Sequence, residues 1–125
     1  MSDNLTPEQF LKSYVDQFNK GKLSSILTLY ESDACFATQP GQVVKGEEDL
    51  RTSLQSFIDM KGRLESNVKR VFRSGDIALI ISEWSFNGVG PDGKAITLKG
   101  NATDVLRQQS NGTWNILIDN PWGTD

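Results

Sequence analysis

The chain has 125 residues, 13 basic and 16 acidic side chains, a net charge of −3 and 37% hydrophobic residues. That length is one domain's worth, able to bury a core without disulfides or metal. The well-mixed charges exclude a basic nucleic-acid face, and a lone cysteine, Cys35, excludes an intramolecular disulfide.

Histidine is absent. Ser-His-Asp and Cys-His triads are therefore excluded, as are zinc sites built on imidazole. Any proton transfer falls to carboxylates, Tyr, Lys, Cys or water. No metal and no cofactor is expected. The stretch Met1-Ser2-Asp3-Asn4 has neither the basic nor the apolar region of a secretory signal. No apolar run approaches the ~18 residues of a membrane span. A cytoplasmic protein with no nucleic-acid and no membrane partner is expected.

Thr6-Pro7-Glu8-Gln9 starts a helix, with Thr6 as N-cap, Pro7 in the first turn and Gln9 closing a capping box. Phe10, Leu11, Tyr14, Val15 and Phe18 follow at helical spacing, and Lys20-Gly21 is the stop. Leu23, Ile26, Leu27 and Tyr30 predict a second short amphipathic helix. Ala34–Ala37 predicts a short strand, Gln39–Gln42 a turn, and Val43-Val44 a return strand. Gly46-Glu47-Glu48-Asp49 opens a third helix with acids at its positive end, buried through Leu50, Leu54, Phe57 and Ile58 and ended by Gly62. Beyond Arg63, turn signals at Ser74-Gly75-Asp76, Gly90-Pro91-Asp92-Gly93 and Ser110-Asn111-Gly112 delimit four strands near 64–73, 77–87, 94–109 and 113–119. The layout is a single α+β domain over residues 1–125, helices against a curved antiparallel sheet with an apolar pocket between them.

Three residues break this pattern. Asp104 shares the period-two row Ile96, Leu98, Gly100, Ala102 and Leu106, so a carboxylate falls on an apolar face. Either it is buried and its pKa raised, or a bulge turns it outward, or an arginine pairs with it. Tyr14 lies in the first helix's apolar stripe, as a core aromatic with its hydroxyl at the surface or as a donor into the cavity. Asp119 ends the last strand. Strict alternation sets Trp114, Ile116 and Ile118 against Asn115, Leu117 and Asp119, which turns Asp119 away from the apolar row, and it or Asn120 can serve as a turn cap. Trp84, on the row of Ala78, Ile80 and Phe86, is core or pocket wall. Glu83, on the opposite row, suits an outward salt bridge.

These segments resemble the nuclear transport factor 2-like superfamily, in its SnoaL-like, ketosteroid-isomerase-related branch. The likeness runs through Tyr14–Leu23, Leu29–Ala34, Lys45–Glu48, Ala102–Arg107, Asn111–Trp114 and Ile118–Pro121. It implies a cone-shaped, cystatin-like fold with three N-terminal helices on a curved, mixed, mostly antiparallel sheet. Ketosteroid isomerase works with an Asp base plus a Tyr and a protonated Asp as oxyanion donors. Tyr14 and Asp104 match the two donors. The base has no counterpart, because Phe36-Ala37-Thr38-Gln39-Pro40 contains no carboxylate. Asp119 is the nearest substitute, with Arg107 as a third member.

The resemblance implies a small-molecule pocket protein, an isomerase-, cyclase- or hydrolase-type enzyme acting on a small hydrophobic carbonyl compound. Tyr14, Asp104 and Asp119 would be catalytic, with Phe36, Phe57, Trp84, Asn120 and Trp122 contacting the ligand. The alternatives are a non-catalytic ligand-binding module and a dimerisation module. A homodimer would pair through the exposed sheet face, using the polar row Thr97, Lys99, Asn101, Thr103 and Arg107.

Overall fold

The computed structural model describes residues 5–125; the leading stretch Met1–Asn4 lies outside the described residues. Helix α1 spans Pro7–Lys20. Its start is the capping box expected from the sequence. The Thr6 hydroxyl accepts from the Gln9 N–H at 3.1 Å, and the Gln9 side chain accepts from the Thr6 N–H at 2.9 Å. Gly21 ends it in the left-handed region at φ 70°. Phe10, Leu11, Tyr14 and Phe18 form its buried stripe.

Helix α2 is only Leu23–Leu27. The helical pattern read through Tyr30 stops early because Tyr30 opens strand β1, Tyr30–Gln39, where it pairs in parallel with Ile116. The first strand is thus much longer than the expected 34–37 segment. Strand β2, Gln42–Lys45, returns antiparallel through a turn carrying Gly41 at φ 75°. Helix α3, Glu47–Ile58, follows this hairpin, so the three helices do not all precede the sheet. Glu47, Glu48 and Asp49 occupy its first turn, where backbone N–H groups favour negative charge. Leu50 and Leu54 fasten it to the core. The helix stops at Ile58, not at Gly62. Gly62 is needed for another reason: a side-chain carbon there would collide with the Asn87 carbonyl and the Phe86 ring.

Four strands follow as an antiparallel meander, at the places the turn signals marked. They are β3 (Arg63–Ser74), β4 (Ile77–Val89), β5 (Ala95–Gln108) and β6 (Trp114–Asp119). The six strands form one open mixed sheet in the order β2-β1-β6-β5-β4-β3, with β1–β6 the parallel pair. Helix α1 packs on β3 and β4, and α3 on β1 and β2. Both helices cover the same face, which holds Phe10, Phe18, Ile26, Leu54, Ile80 and Phe86 as its core. No helix of the described residues is long and apolar enough to cross a membrane.

Candidate functional site

The β4–β5 ladder runs in unbroken register from Ile77↔Arg107 to Val89↔Ala95. No bulge rotates Asp104, so period two holds and it points inward with Ala102 and Leu106, 9% exposed. The β5–β6 ladder does break. Leu106 faces Ile116 while Val105 faces Ile118, and Leu117 is the extra residue. That one-residue slip reverses the strand's last positions. Ile118 turns outward at 40% exposure, and Asp119 turns inward at 8%. Strict alternation therefore misdirects Asp119, which lies on the same buried face as Asp104.

No cation meets either acid among the described residues. Arg107 is not a third member: it lies on the opposite face, 3.5 Å from Glu31. The other ion pair, Lys69–Glu83 at 2.9 Å, is on the exposed side, as read for Glu83. The acids are satisfied instead by hydroxyls and an amide. The Tyr30 hydroxyl donates to Asp119 Oδ2 at 2.6 Å, the short separation of an O–H bonded to a carboxylate. The Tyr14 and Tyr30 hydroxyls lie 2.6 Å apart. The Asn120 backbone N–H donates to Asp104 Oδ1 at 2.9 Å. The two carboxyl groups are neighbours on this face, and each alters the other's titration.

Burial raises the Asp104 pKa well above the ordinary carboxylate range, and the charge of Asp119 raises it further. Asp119 is also raised by burial, but the hydrogen bond from Tyr30 and the neighbouring Asp104 oppose the rise. Asp104 is therefore the member that holds its proton to the higher pH, and Asp119 the member that gives it up first. Burial, then the Asp119 charge, pushes both phenols well above their usual range.

These assignments set the direction of every hydrogen in the chain. Tyr30 gives its one hydrogen to Asp119, so the hydrogen between the phenols must come from Tyr14. Both phenol hydrogens point along the chain towards Asp119.

Tyr14, Asp104 and Asp119 lie on the wall of a cavity of about 90 Å³, between α1, α3 and the sheet. Phe57, Trp84 and Trp122 are also on that wall. The two indoles meet edge to face at 5.4 Å. Each is held by its N–H: Trp84 to the Pro121 carbonyl at 2.6 Å, Trp122 to the Ala37 carbonyl at 3.1 Å. Gly100 makes room for them; a side-chain carbon there would sit 3.2 Å from the Trp84 ring.

Two expected contact residues are elsewhere. Phe36 is 3% exposed in the core and is not on the cavity wall. Asn120 spends its side-chain amide on Thr103 Oγ1 and the Gly123 carbonyl, both at 2.9 Å, so it braces the chain behind Asp104. Thr38, in the region where the resembled family carries its base, has its hydroxyl near the Gln42 carbonyl and is not on the wall.

Tyr30 and Ser82 were not singled out from the sequence. Tyr30 was hidden in a segment with helical spacing. Ser82 carried a usable signal, a polar residue on the Ala78–Ile80–Trp84–Phe86 row. It lines the cavity and is 2% exposed.

The sequence matches the SnoaL-like domain family over residues 11–115. No significant match is found among curated proteins. Among solved structures, the chain is similar to a ketosteroid isomerase-like protein from Erwinia carotovora atroseptica, with 19% identity, TM-score 0.76, and 90% of this chain and 88% of that one covered. It is similar to a conserved protein from Planctomyces limnophilus, with 14% identity, TM-score 0.79, and coverage of 90% and 88%. It is also similar to SalBIII, an epoxide hydrolase/cyclase-like enzyme in pyran ring formation of salinomycin, with 16% identity, TM-score 0.64, and coverage of 90% and 85%. At these identities the likeness is one of fold.

Proposed function

Because this chain belongs to the SnoaL-like domain family, a fold shared with isomerase-like and cyclase-like proteins, we propose that it is an acid–base enzyme acting on a small, largely apolar molecule. One observation carries this reading. Asp104 and Asp119 are neighbouring buried carboxyl groups on the wall of a mostly apolar cavity, and among the described residues no cation pairs with either. Two such acids cannot both ionise, so they share a proton and titrate as a pair. The pair offers a base and an acid at one place, the division of labour that unequal carboxyl environments produce in catalysis.

The step is a proton shift. Asp119 takes a proton from one position of the substrate, breaking that bond, and its electron pair moves into the substrate. Asp104 gives its proton to a second position. Asp119 then returns a proton to Asp104, and no atom is gained or lost. Tyr14 enters differently from the resemblance. Its hydrogen is committed to Tyr30, so it faces the cavity as an acceptor.

The chemistry is tested without knowing the substrate. The protein is incubated in D2O with a panel of small unsaturated amines and ketones, and deuterium uptake is followed by NMR. Uptake catalysed by the wild type should fall roughly 10²–10⁴-fold in Asp119→Asn, the range for losing an acid–base group. Uptake at the wild-type rate in that variant overturns the assignment.

A further inference from the structure

The acid–phenol end of the cavity has an unusual polarity. Both phenol hydrogens are consumed inside the chain, and Asp104 Oδ1 already accepts from the Asn120 N–H. What remains towards the cavity is acceptor capacity: the free lone pair of Tyr14 and the oxygens of the carboxyl pair. A ligand group that only accepts, such as a carbonyl oxygen, meets lone pairs there. A carboxylate or phosphate meets like charge as well. A group that donates hydrogens fits without rearrangement.

Charge and wall material narrow the choice. The wall contains no Lys or Arg, and among the described residues no cation pairs with Asp104 or Asp119. Six of the lining residues are aromatic: Tyr14, Phe18, Phe57, Trp84, Phe86 and Trp122. Aromatic faces attract cations, most of all when both are out of water. Ser82 adds a buried hydroxyl that can turn either way for a second polar atom, so it does not decide the head group.

We propose that the cavity selects a small ligand with a protonated nitrogen as its head group. The nitrogen's hydrogens point at Asp119, Asp104 and Tyr14, and its apolar body lies against the Trp84–Trp122 pair. The inference uses the same site as the acid–base reading but requires only binding. It replaces the hydrophobic carbonyl compound with an ammonium-headed one. The cavity of about 90 Å³ is smaller than the ~150 Å³ that admits a benzene ring in a closed core, so a body of one ring fits only by extending into the groove where Leu11, Val15, Leu64 and Ser66 line both the cavity and the α1–β3 surface.

The test holds the body constant and changes the head. Benzylamine, benzyl alcohol, benzaldehyde and benzoate are titrated at pH 7 by calorimetry and by tryptophan fluorescence. Benzylamine, protonated at that pH, should bind at least about tenfold more tightly than the alcohol, as expected for a charge-assisted contact with aromatic support. The aldehyde should be weaker still, and benzoate should not bind. The double variant Asp104→Asn/Asp119→Asn keeps the shape and loses the charge. It should bind benzylamine no better than the alcohol, with circular dichroism confirming its fold and Asp119→Asn alone as the milder substitution. Benzaldehyde or benzoate binding as tightly as benzylamine overturns the proposal. So does undiminished benzylamine binding in the folded double variant, or no binding by any of the four. Deuterium uptake is read separately, so the acid–base assignment stands or falls on its own result.

Discussion

Strands β4, β5 and β6 carry acids on both of their faces, and the two faces treat them in opposite ways. On the open side Glu83 meets Lys69 at 2.9 Å, with both side chains about half exposed. Water already solvates each partner, so such a pair contributes between nothing and about 1 kcal/mol. On the helix-covered side Asp104 and Asp119 have lost water and, among the described residues, gained no cation. Burying charge this way costs several kcal/mol unless hydrogen bonds compensate. The compensation is the chain of two phenols and one backbone amide. Salt-bridge counting would rank the open face as the electrostatic one, whereas the proposed chemistry sits where the described residues form no salt bridge.

The largest structural effect separating the faces should come from Tyr30→Phe. Tyr30 is 5% exposed and joins Tyr14 to Asp119. Removing its hydroxyl leaves Tyr14 without its acceptor and Asp119 with one donor fewer. Unfolding by urea should show a loss of about 1–3 kcal/mol, the usual cost of leaving buried polar groups unpaired. The same variant frees the Tyr14 hydrogen, so the preference for benzylamine over benzaldehyde should narrow. A stability unchanged from wild type would mean the phenol chain carries no weight in the fold.

A pH series gives a smaller effect with a definite sign. The folded pKa of Asp104 is raised by burial and by Asp119. Above the ordinary Asp value of ~3.9, the unfolded chain has released a proton that the native state still holds. Stability from this group is therefore complete below that value and is lost as pH rises towards the raised one. The partial rise at Asp119 acts in the same direction. In Asp104→Asn the side chain still accepts from the Asn120 N–H, but it no longer titrates. Denaturant unfolding across this pH window should decline less steeply in the variant than in the wild type. Equal slopes would assign the pH dependence to other groups.

How much of this could be read from the sequence depends on how regular the local ladder is. Asp104 was found by counting in twos because β4 and β5 stay in register over their whole length. The capping box at Thr6 and the turns at Gly75, Gly93 and Gly112 are local signals, and they placed α1 and the meander. Asp119 could not be oriented by counting, since an extra residue at Leu117 inverts the phase. Tyr30 was masked twice. Its segment has helical spacing, and a second register shift separates it from Cys35 in the β1–β6 pairing. That parallel pairing is long-range and leaves no pattern in either strand alone. The sequence reads Phe36 as strand and the resemblance sets it against the ligand, whereas it lies beside Asp119 in the core and off the cavity wall.

The open face supplies the smallest expected effect and the control for the rest. Register places Cys35, Ile118, Val105, Leu79 and Phe72 in one row across β1, β6, β5, β4 and β3. The expected polar row is therefore crossed by an apolar one, in which Phe72 is 56% exposed. It sits on an edge strand, where a lysine stem can cover the same neighbours and its charge discourages strand addition. Phe72→Lys should change stability by no more than about 0.5 kcal/mol, as for surface substitutions generally, and should leave benzylamine affinity unaltered because the sheet separates the two faces. Light scattering on the same samples reads the homodimer expected from the resemblance: a dimer that dissociates on this substitution has Phe72 inside its contact. A shift in cavity affinity without a change of mass would show instead that the two faces are coupled through the sheet, and the contrast between them would fail.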